Sequence, residues 1–274
     1  MKNIFKTALL IITLLTGIIG CGKSEDKPKE QSKKIIKLGI SGEENIIWES
    51  VKTRLAAEGI ELKFISFSDY VRPNLSLQEK ELDANSFQTV IYFDKFKADH
   101  KLTIVNAAYT ILTPMGIYSK KLTDLSTLKD KAKVAIPNDA SNGARGLLLL
   151  QDAGLIKLTP RTDGLETVKD IIENPKQLEI IELVATQIPR SLEDIDIAAI
   201  NNNVAIEAGY NPSKDSIFLE DPKLDRMKKY FNIIAVREDN QNSDEIKKLL
   251  EIYNSQETRD KIVEYYKGSG VPAF

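Results

Sequence analysis

The sequence is poor in the residues on which many active sites depend. Among 274 residues there is one cysteine, one histidine and one tryptophan. A single cysteine excludes an internal disulfide, a thiolate zinc cluster and a CxxC redox pair. A single histidine removes most zinc-hydrolase and Ser-His-Asp designs. The motifs GxSxG, HExxH and DxDxDG are missing, as is the dinucleotide fingerprint GxGxxG. Charge of one sign is also scarce: 38 basic residues against 40 acidic leave a net charge of −2, which argues against a nucleic-acid binder driven by bulk charge. With 42% hydrophobic and 28% charged residues the chain reads as a folded, soluble protein. Its length suits two medium domains better than one, because single cores seldom grow past about 250–300 residues. These features point to a two-domain, non-catalytic body with no cofactor and no metal.

The longest apolar run is short as well. Ala8 to Ile19 (ALLIITLLTGII) spans 12 residues, too few to cross ~30 Å of hydrocarbon as a helix. Preceded by Lys2 and Lys6, it fits the h-region of a secretory signal. It runs into Ile19-Gly20-Cys21, and small residues ahead of a cysteine are the pattern of a bacterial lipoprotein signal. Residues 1–20 are therefore expected to be a signal peptide, with Cys21 lipidated and the membrane reached through it. Residues 21–34 (CGKSEDKPKEQSKK) contain no large apolar side chain and read as a flexible tether. Loss of Lys2 and Lys6 leaves acidic residues further in excess, so attachment would depend on acyl chains and not on a basic patch. The expected location is the cell envelope, inner or outer membrane unspecified.

From Ile35 short apolar runs alternate with helical patterns. IIKLGI (35–40) reads as a strand, and Ser41-Gly42-Glu43-Glu44 as a capping box for a helix carrying Ile47, Val51 and Leu55. Gly59 ends that helix and IELKFISF (60–67) forms the next strand. Further strands are expected at 103–109, 116–120, 133–137, 178–185, 195–200, 216–220 and 231–236, and helices at 143–153, 165–173, 202–209 and 244–254. Repeated βαβ units imply a mainly parallel sheet flanked by helices, and an α/β fold.

Four stretches could hold a ligand. VAIPNDASNGARG (134–146) carries a strand into a small, polar loop and opens a helix with Arg145 in its first turn. Free N–H groups and the dipole at a helix start attract anions, and a guanidinium can grip a carboxylate with two parallel hydrogen bonds. Gly143 and Gly146 would let a ligand approach the backbone. The bland alternative is a capped surface helix with a solvated arginine. Tyr70 in FSDYVRPN (67–74), and Phe87 and Tyr92 in DANSFQTVIYFD (83–94), could wall a pocket or simply fill the core. Asn201-Asn202-Asn203 follow an apolar strand, at the edge where ligands of open α/β sheets bind. An amide there can accept from an ammonium or cap a helix. His100, in KADHKL, reads as solvated.

The chain resembles the NlpA-type lipoproteins, methionine-binding proteins that serve ABC importers. The resemblance rests on SDYVRPN (68–74), DANSFQ (83–88), YSKKL (118–122), VAIPNDASN-GAR-GLLLLQ (134–151), GLIKL (154–158), ENPK (173–176), PRSL (189–192), AIN (199–201) and REDN (237–240), in the family's order over about 240 residues. It implies a periplasmic-binding-protein-like fold: two α/β lobes, residues 35–112 plus 232–274 and residues 116–228, with the ligand cleft between them and crossovers near 112–117 and 228–234. It also implies that Arg145 takes the carboxylate of an amino acid with Asn142 beside it. Asn201 would contact the polar end, and Tyr70, Phe87 and Tyr92 would enclose a methionine side chain. Two departures stand out. Thr89 occupies a position where the family usually has histidine, and Thr113 one where an aromatic is frequent. Both would make the side-chain end of the pocket smaller-walled and more polar. The implied ligand is L-methionine or a similar amino acid, and the implied partners are a permease and its ATPase, with no nucleic acid and no enzymatic step. The competing reading is a surface lipoprotein or antigen on the same scaffold, with another apolar amino acid or a short peptide as ligand.

Overall fold

The computed structural model describes residues 34–267 and 269–274. The signal peptide, Cys21 and all of the tether except Lys34 lie outside the described residues. Lys34 itself opens the first strand, so the folded body starts one residue earlier than expected.

The first part of the chain runs β1 (Lys34–Ser41), α1 (Ile46–Ala57), β2 (Ile60–Phe67), α2 (Arg72–Gln78), β3 (Ala84–Ser86), α3 (Val90–His100) and β4 (Ile104–Tyr109). After β5 (Ile111–Leu112) come β6 (Gly116–Tyr118), β7 (Lys133–Pro137), α4 (Ala140–Asp152), β8 (Lys157–Leu158), β9 (Ile171–Glu173) and β10 (Glu179–Leu183). Then follow α5 (Ile188–Ser191), β11 (Ile197–Ile200), α6 (Asn202–Glu207), α7 (Pro212–Asp215) and β12 (Phe218–Leu219). The remainder is β13 (Ile233–Arg237), α8 (Asp244–Tyr253), α9 (Gln256–Tyr266) and β14 (Val271–Pro272).

Two five-stranded sheets result, in the orders β2-β1-β3-β13-β4 and β10-β7-β11-β6-β12. Each is mainly parallel with one reversed strand. In the first sheet β13 runs antiparallel to both β3 and β4; in the second β6 runs antiparallel to both β11 and β12. These are the first strands reached after the chain passes from one sheet to the other, through residues 110–115 and again through 220–232. A βαβ crossover turns the chain round before the next strand; these passages contain no α-helix, only a 3-10 segment at Asp225–Tyr230 in the second, and the strand enters reversed. β14 pairs with β5 inside the first passage.

Each sheet is covered on both faces. In the first, Ile36, Leu38 and Ile40 of β1 pack with Trp48, Val51 and Leu55 of α1 and Ile246, Leu249 and Ile262 of α8 and α9. On the other face Leu77, Phe93 and Phe96 meet Ile233 and Ala235. In the second, Val134 and Ile136 pack with Leu147, Leu149 and Leu150 of α4, while Ala198 and Ile200 face Ile188, Leu192 and Val204. Burying a leucine or isoleucine side chain contributes roughly 1.5–3 kcal/mol.

Local chemistry explains where the elements differ from expectation. Ser41 is the last residue of β1, and the cap of α1 is Asn45, whose side chain accepts from Ile47 N at 3.1 Å and Trp48 N at 3.3 Å. Gly59, at φ +76°, ends the helix as anticipated. The expected helix at 165–173 is absent: Thr167 and Asp170 bond each other across a 3-10 turn, Val168–Asp170, and β-branched Ile171 and Ile172 enter β9. Helices α2, α3 and α9 had no counterpart in the hydrophobic periodicity. Thr89 and Ser255 cap the latter two.

Candidate functional site

The parallel strands of both sheets point their carboxyl ends at one cavity. The segments after β2, β3, β7 and β11 supply Tyr70, the run Phe87 to Thr89, Asn142 with Arg145, and Asn201 to Asn203; Tyr92 comes from the first turn of α3. Thr113 and Asn232 reach it from the two passages between the sheets. The walls stand close together, leaving about 40 Å³ free for water-sized molecules. All seven ligand-binding candidates, Tyr70, Phe87, Thr89, Tyr92, Asn142, Arg145 and Asn201, lie on this cavity.

One wall is aromatic. The Tyr70, Phe87 and Tyr92 rings form a triangle with centroids 5.8, 6.1 and 6.0 Å apart. The Tyr92 hydroxyl donates to the Tyr70 carbonyl at 2.7 Å, which fixes the loop that carries Tyr70. Burial, with the Asp139 carboxylate adding to it, raises the pKa of both tyrosines, so both remain neutral. Thr89 caps α3 by accepting from Tyr92 N at 3.4 Å; its side chain is therefore a helix cap as well as part of the wall.

The facing wall is polar, and Arg145 is its only charged side chain. Arg145 is 3% exposed. Its Nε donates to the Glu220 carboxylate at 3.0 and 3.2 Å, and its Nη2 donates to Glu220 Oε2 at 2.6 Å and to the Thr113 carbonyl at 2.8 Å. The Tyr230 ring lies over the guanidinium, with its centroid 4.3 Å from Cζ. This corrects the expected two-bond grip on a ligand, since the paired donors on Nε and Nη2 are taken by the protein. The N–H groups that remain are on Nη1. The helix start is likewise occupied: Asp139 caps α4 and accepts from Asn142 N at 2.9 Å and from Ser141 Oγ at 3.0 Å. Gly143 and Gly146 serve packing and not ligand approach. A Cβ on Gly143 would come within 2.8 Å of the Pro137 carbonyl, and one on Gly146 within 3.3 Å of Ile136.

Asn201 stands at the N-cap position of α6 without capping it. Its Nδ2 donates to Asn142 Oδ1 at 2.7 Å, and Asn142 Nδ2 donates to Asp139 at 3.0 Å. Asn202 Nδ2 donates to the Pro114 carbonyl at 3.2 Å. The Oδ1 atoms of Asn201 and Asn202 are buried acceptors with no partner in the protein. An unsatisfied buried acceptor costs about 1–3 kcal/mol, so both oxygens favour a donor arriving from the cavity.

Four of the nine stretches that carry the sequence resemblance contribute to these walls, and comparison with known proteins is decisive. The family model described as NlpA lipoprotein matches residues 36–274. The chain belongs to the NlpA lipoprotein family. It is 38% identical over 276 residues to the D-methionine-binding lipoprotein MetQ of Escherichia coli strain K12, which covers 98% of each chain. A nutrient binding protein from Burkholderia cenocepacia, solved bound to methionine, superposes with a TM-score of 0.82 at 43% identity over 87% of this chain and 100% of that one. The substrate binding protein of a methionine transporter from Streptococcus pneumoniae gives 0.82 at 33% identity, over 88% and 96%. The α/β, periplasmic-binding-protein-like fold expected of the NlpA family is the fold observed. Among the described residues no helix is long and apolar enough to cross a membrane.

Several motif residues of this NlpA chain brace the site from behind, Asn74 and Asn85 without lining it and Gln88 at its edge. Asn74 and Gln88 exchange two hydrogen bonds of 2.7 Å, and Asn85 Nδ2 donates to Asn74 Oδ1 at 2.9 Å. All three are at most 3% exposed, and together they brace the loop that presents Phe87. Asn232, Gln88 and Glu220 were not singled out by sequence reasoning. Asn232 follows an aromatic at a strand start, and Glu220 ends an apolar run; neither has a local signature. His100 is exposed as expected and stacks on Phe96, with ring centroids 4.1 Å apart.

Proposed function

We propose that the protein is the substrate-binding component of an ABC importer and captures L-methionine, or a closely related amino acid, between two α/β lobes. The lobes are residues 35–112 with 232–274 and residues 116–228, hinged near 112–117 and 228–234. The observation that carries this reading is the pairing of opposed walls in one cavity. Arg145 Nη1 and the two unpartnered amide oxygens suit the two charged ends of a zwitterion, and the aromatic triangle suits an apolar side chain. Arg145 takes the carboxylate end-on, with Asn142 beside it. Asn201 and Asn202 accept from the ammonium, an arrangement supported by buried acceptors and the lack of a carboxylate among the lining residues. Tyr70, Phe87 and Tyr92 enclose the thioether, where each sulfur–aromatic contact contributes about 0.3–1.5 kcal/mol. Thr89 completes the side-chain end, while Thr113, whose carbonyl accepts from Arg145 Nη2, stands at the carboxylate end and not where the family pattern implied.

The role is capture and delivery, not catalysis. Closure of the lobes presents the loaded form to a permease driven by its ATPase. Lipidation of Cys21 after removal of residues 1–20 tethers the protein in the cell envelope. A relative named D-methionine-binding lipoprotein supports a lipoprotein that captures methionine, and a similar protein solved bound to methionine supports the ligand class. Native mass spectrometry of the freshly purified protein, followed by calorimetric titration with L-methionine, tests the reading. A retained amino-acid mass and saturable heat are expected; no binding of any amino acid would overturn it.

A further inference from the structure

Arg145 is fastened to both passages that connect the sheets. Glu220, at 2% exposure, opens the second passage and binds Arg145 through Nε and Nη2. The same residue clasps the first passage: Glu220 Oε2 accepts from Met115 N at 3.0 Å, and Glu220 N donates to the Met115 carbonyl at 3.0 Å. Thr113, also in the first passage, accepts from Nη2. Tyr230, near the end of the second, covers the guanidinium face.

An arginine has five N–H donors and a long, flexible stem. Three of those donors are held by the protein here and the Tyr230 ring packs on one face, so the guanidinium plane is fixed and the donors left for the cavity are those on Nη1. Glu220 also neutralises the buried cation, which removes the penalty of keeping an unpaired charge in an empty site. We propose that Glu220 is a positioning residue for ligand capture, holding Arg145 Nη1 towards the cavity before ligand arrives, with Tyr230 as the second restraint. The inference rests on the carboxylate-binding role given to Arg145 above. Freezing the side chain in advance lowers the entropy cost of binding. Because Glu220 joins both passages, the ligand's anchor and the connections between the sheets move as one piece.

The test is calorimetric titration of the lipid-free chain with L-methionine and with L-methioninol, which carries a hydroxymethyl group in place of the carboxylate. Glu220→Gln is expected to weaken methionine binding at least ~10-fold and methioninol binding less than ~3-fold, since the lost interaction acts through the carboxylate. Glu220→Asp, which keeps the charge, should recover part of the loss. A residue that merely supports the fold would weaken both ligands equally, and that result overturns the proposal. If Glu220→Gln does not fold, Tyr230→Leu decides by the same criterion, a selective loss supporting the proposal and an equal loss or none overturning it. Wild-type protein that binds no methionine overturns the functional reading and this proposal together. Wild-type binding with an unchanged Glu220→Gln overturns the proposal alone.

Discussion

The two walls of the cavity present opposite surfaces, rings on one side and a charge with amides on the other. The aromatic wall, from the first sheet, presents rings packed on one another over a loop braced by Asn74, Asn85 and Gln88, carries no charge of its own, and its tyrosines stay neutral. The polar wall, from the second sheet, is held by a buried ion pair and a relay of amides running from Asp139 through Asn142 to Asn201. An apolar surface tolerates small shifts, because dispersion contacts are numerous and individually weak. A buried charge does not: its partner must be present and correctly placed. On the proposed reading the protein therefore recognises the invariant part of an amino acid with its rigid wall and the variable part with its adaptable one.

That contrast breaks most severely at Arg145. Arg145→Ala leaves Glu220 buried without its counterion, which costs about 3–5 kcal/mol. Melting measured by circular dichroism should fall by about 10 °C, and methionine affinity by at least ~100-fold. An intact melting temperature would show that the pair is not what holds this wall. Phe87→Ala removes one ring of the triangle and roughly 2 kcal/mol of apolar contact, about 30-fold in Kd. Binding of an amino acid with a shorter side chain should change much less, and equal losses would show that the ring does not face the ligand's side chain. Asn201→Ala deletes an unpartnered acceptor and the bond to Asn142. A loss of about 10-fold is expected, with stability nearly unchanged.

The smallest effect belongs to Glu207 at the end of α6. Partial desolvation against the packed neighbours of this largely exposed side chain, and then the nearby Glu43 carboxylate, raise its pKa above the ordinary 4.5. Its folded state therefore holds a proton more tightly than the unfolded chain. The associated stability is present below pH 4.5 and is lost as pH rises through the folded value. Glu207→Gln should flatten this decline and leave the protein slightly more heat-stable at pH 7, as read from melting curves across pH 4–7. Unchanged curves would show that the two carboxylates do not repel. Gly42, at φ +77°, abuts the same side chain.

The regular strands and the regions of the site were legible because their signals are local. IIKLGI and KVAIP announce buried strands by composition, and the small, polar loop before Arg145 announces a helix start. Two things were not local. The pairing of Arg145 with Glu220 spans 75 positions, and no spacing rule links them, so the arginine looked free when it is already held. The capping of α4 by Asp139 was hidden for a similar reason: an aspartate in a polar loop can cap a helix or leave its start open. Thr89 lines the pocket, as its place in the family pattern implies, and it also caps α3 by accepting from Tyr92 N, which that pattern does not reveal. Helix α3 escaped notice because VIYFDKFKADH mixes β-branched and aromatic residues that favour strands as strongly as helices.

The interruption of the first sheet has a temporal consequence. The second sheet draws all its strands from 116–219, one unbroken stretch. The first sheet cannot close until β13 arrives to sit between β3 and β4, bonding Ile233 opposite Tyr109. Long-range pairings of this kind form late, because the loop between them must be gathered first. During that interval β3 and β4 present unfilled edges, which are templates for pairing with other chains. On this topology the half that bears the arginine is expected to mature before the half that bears the aromatic rings.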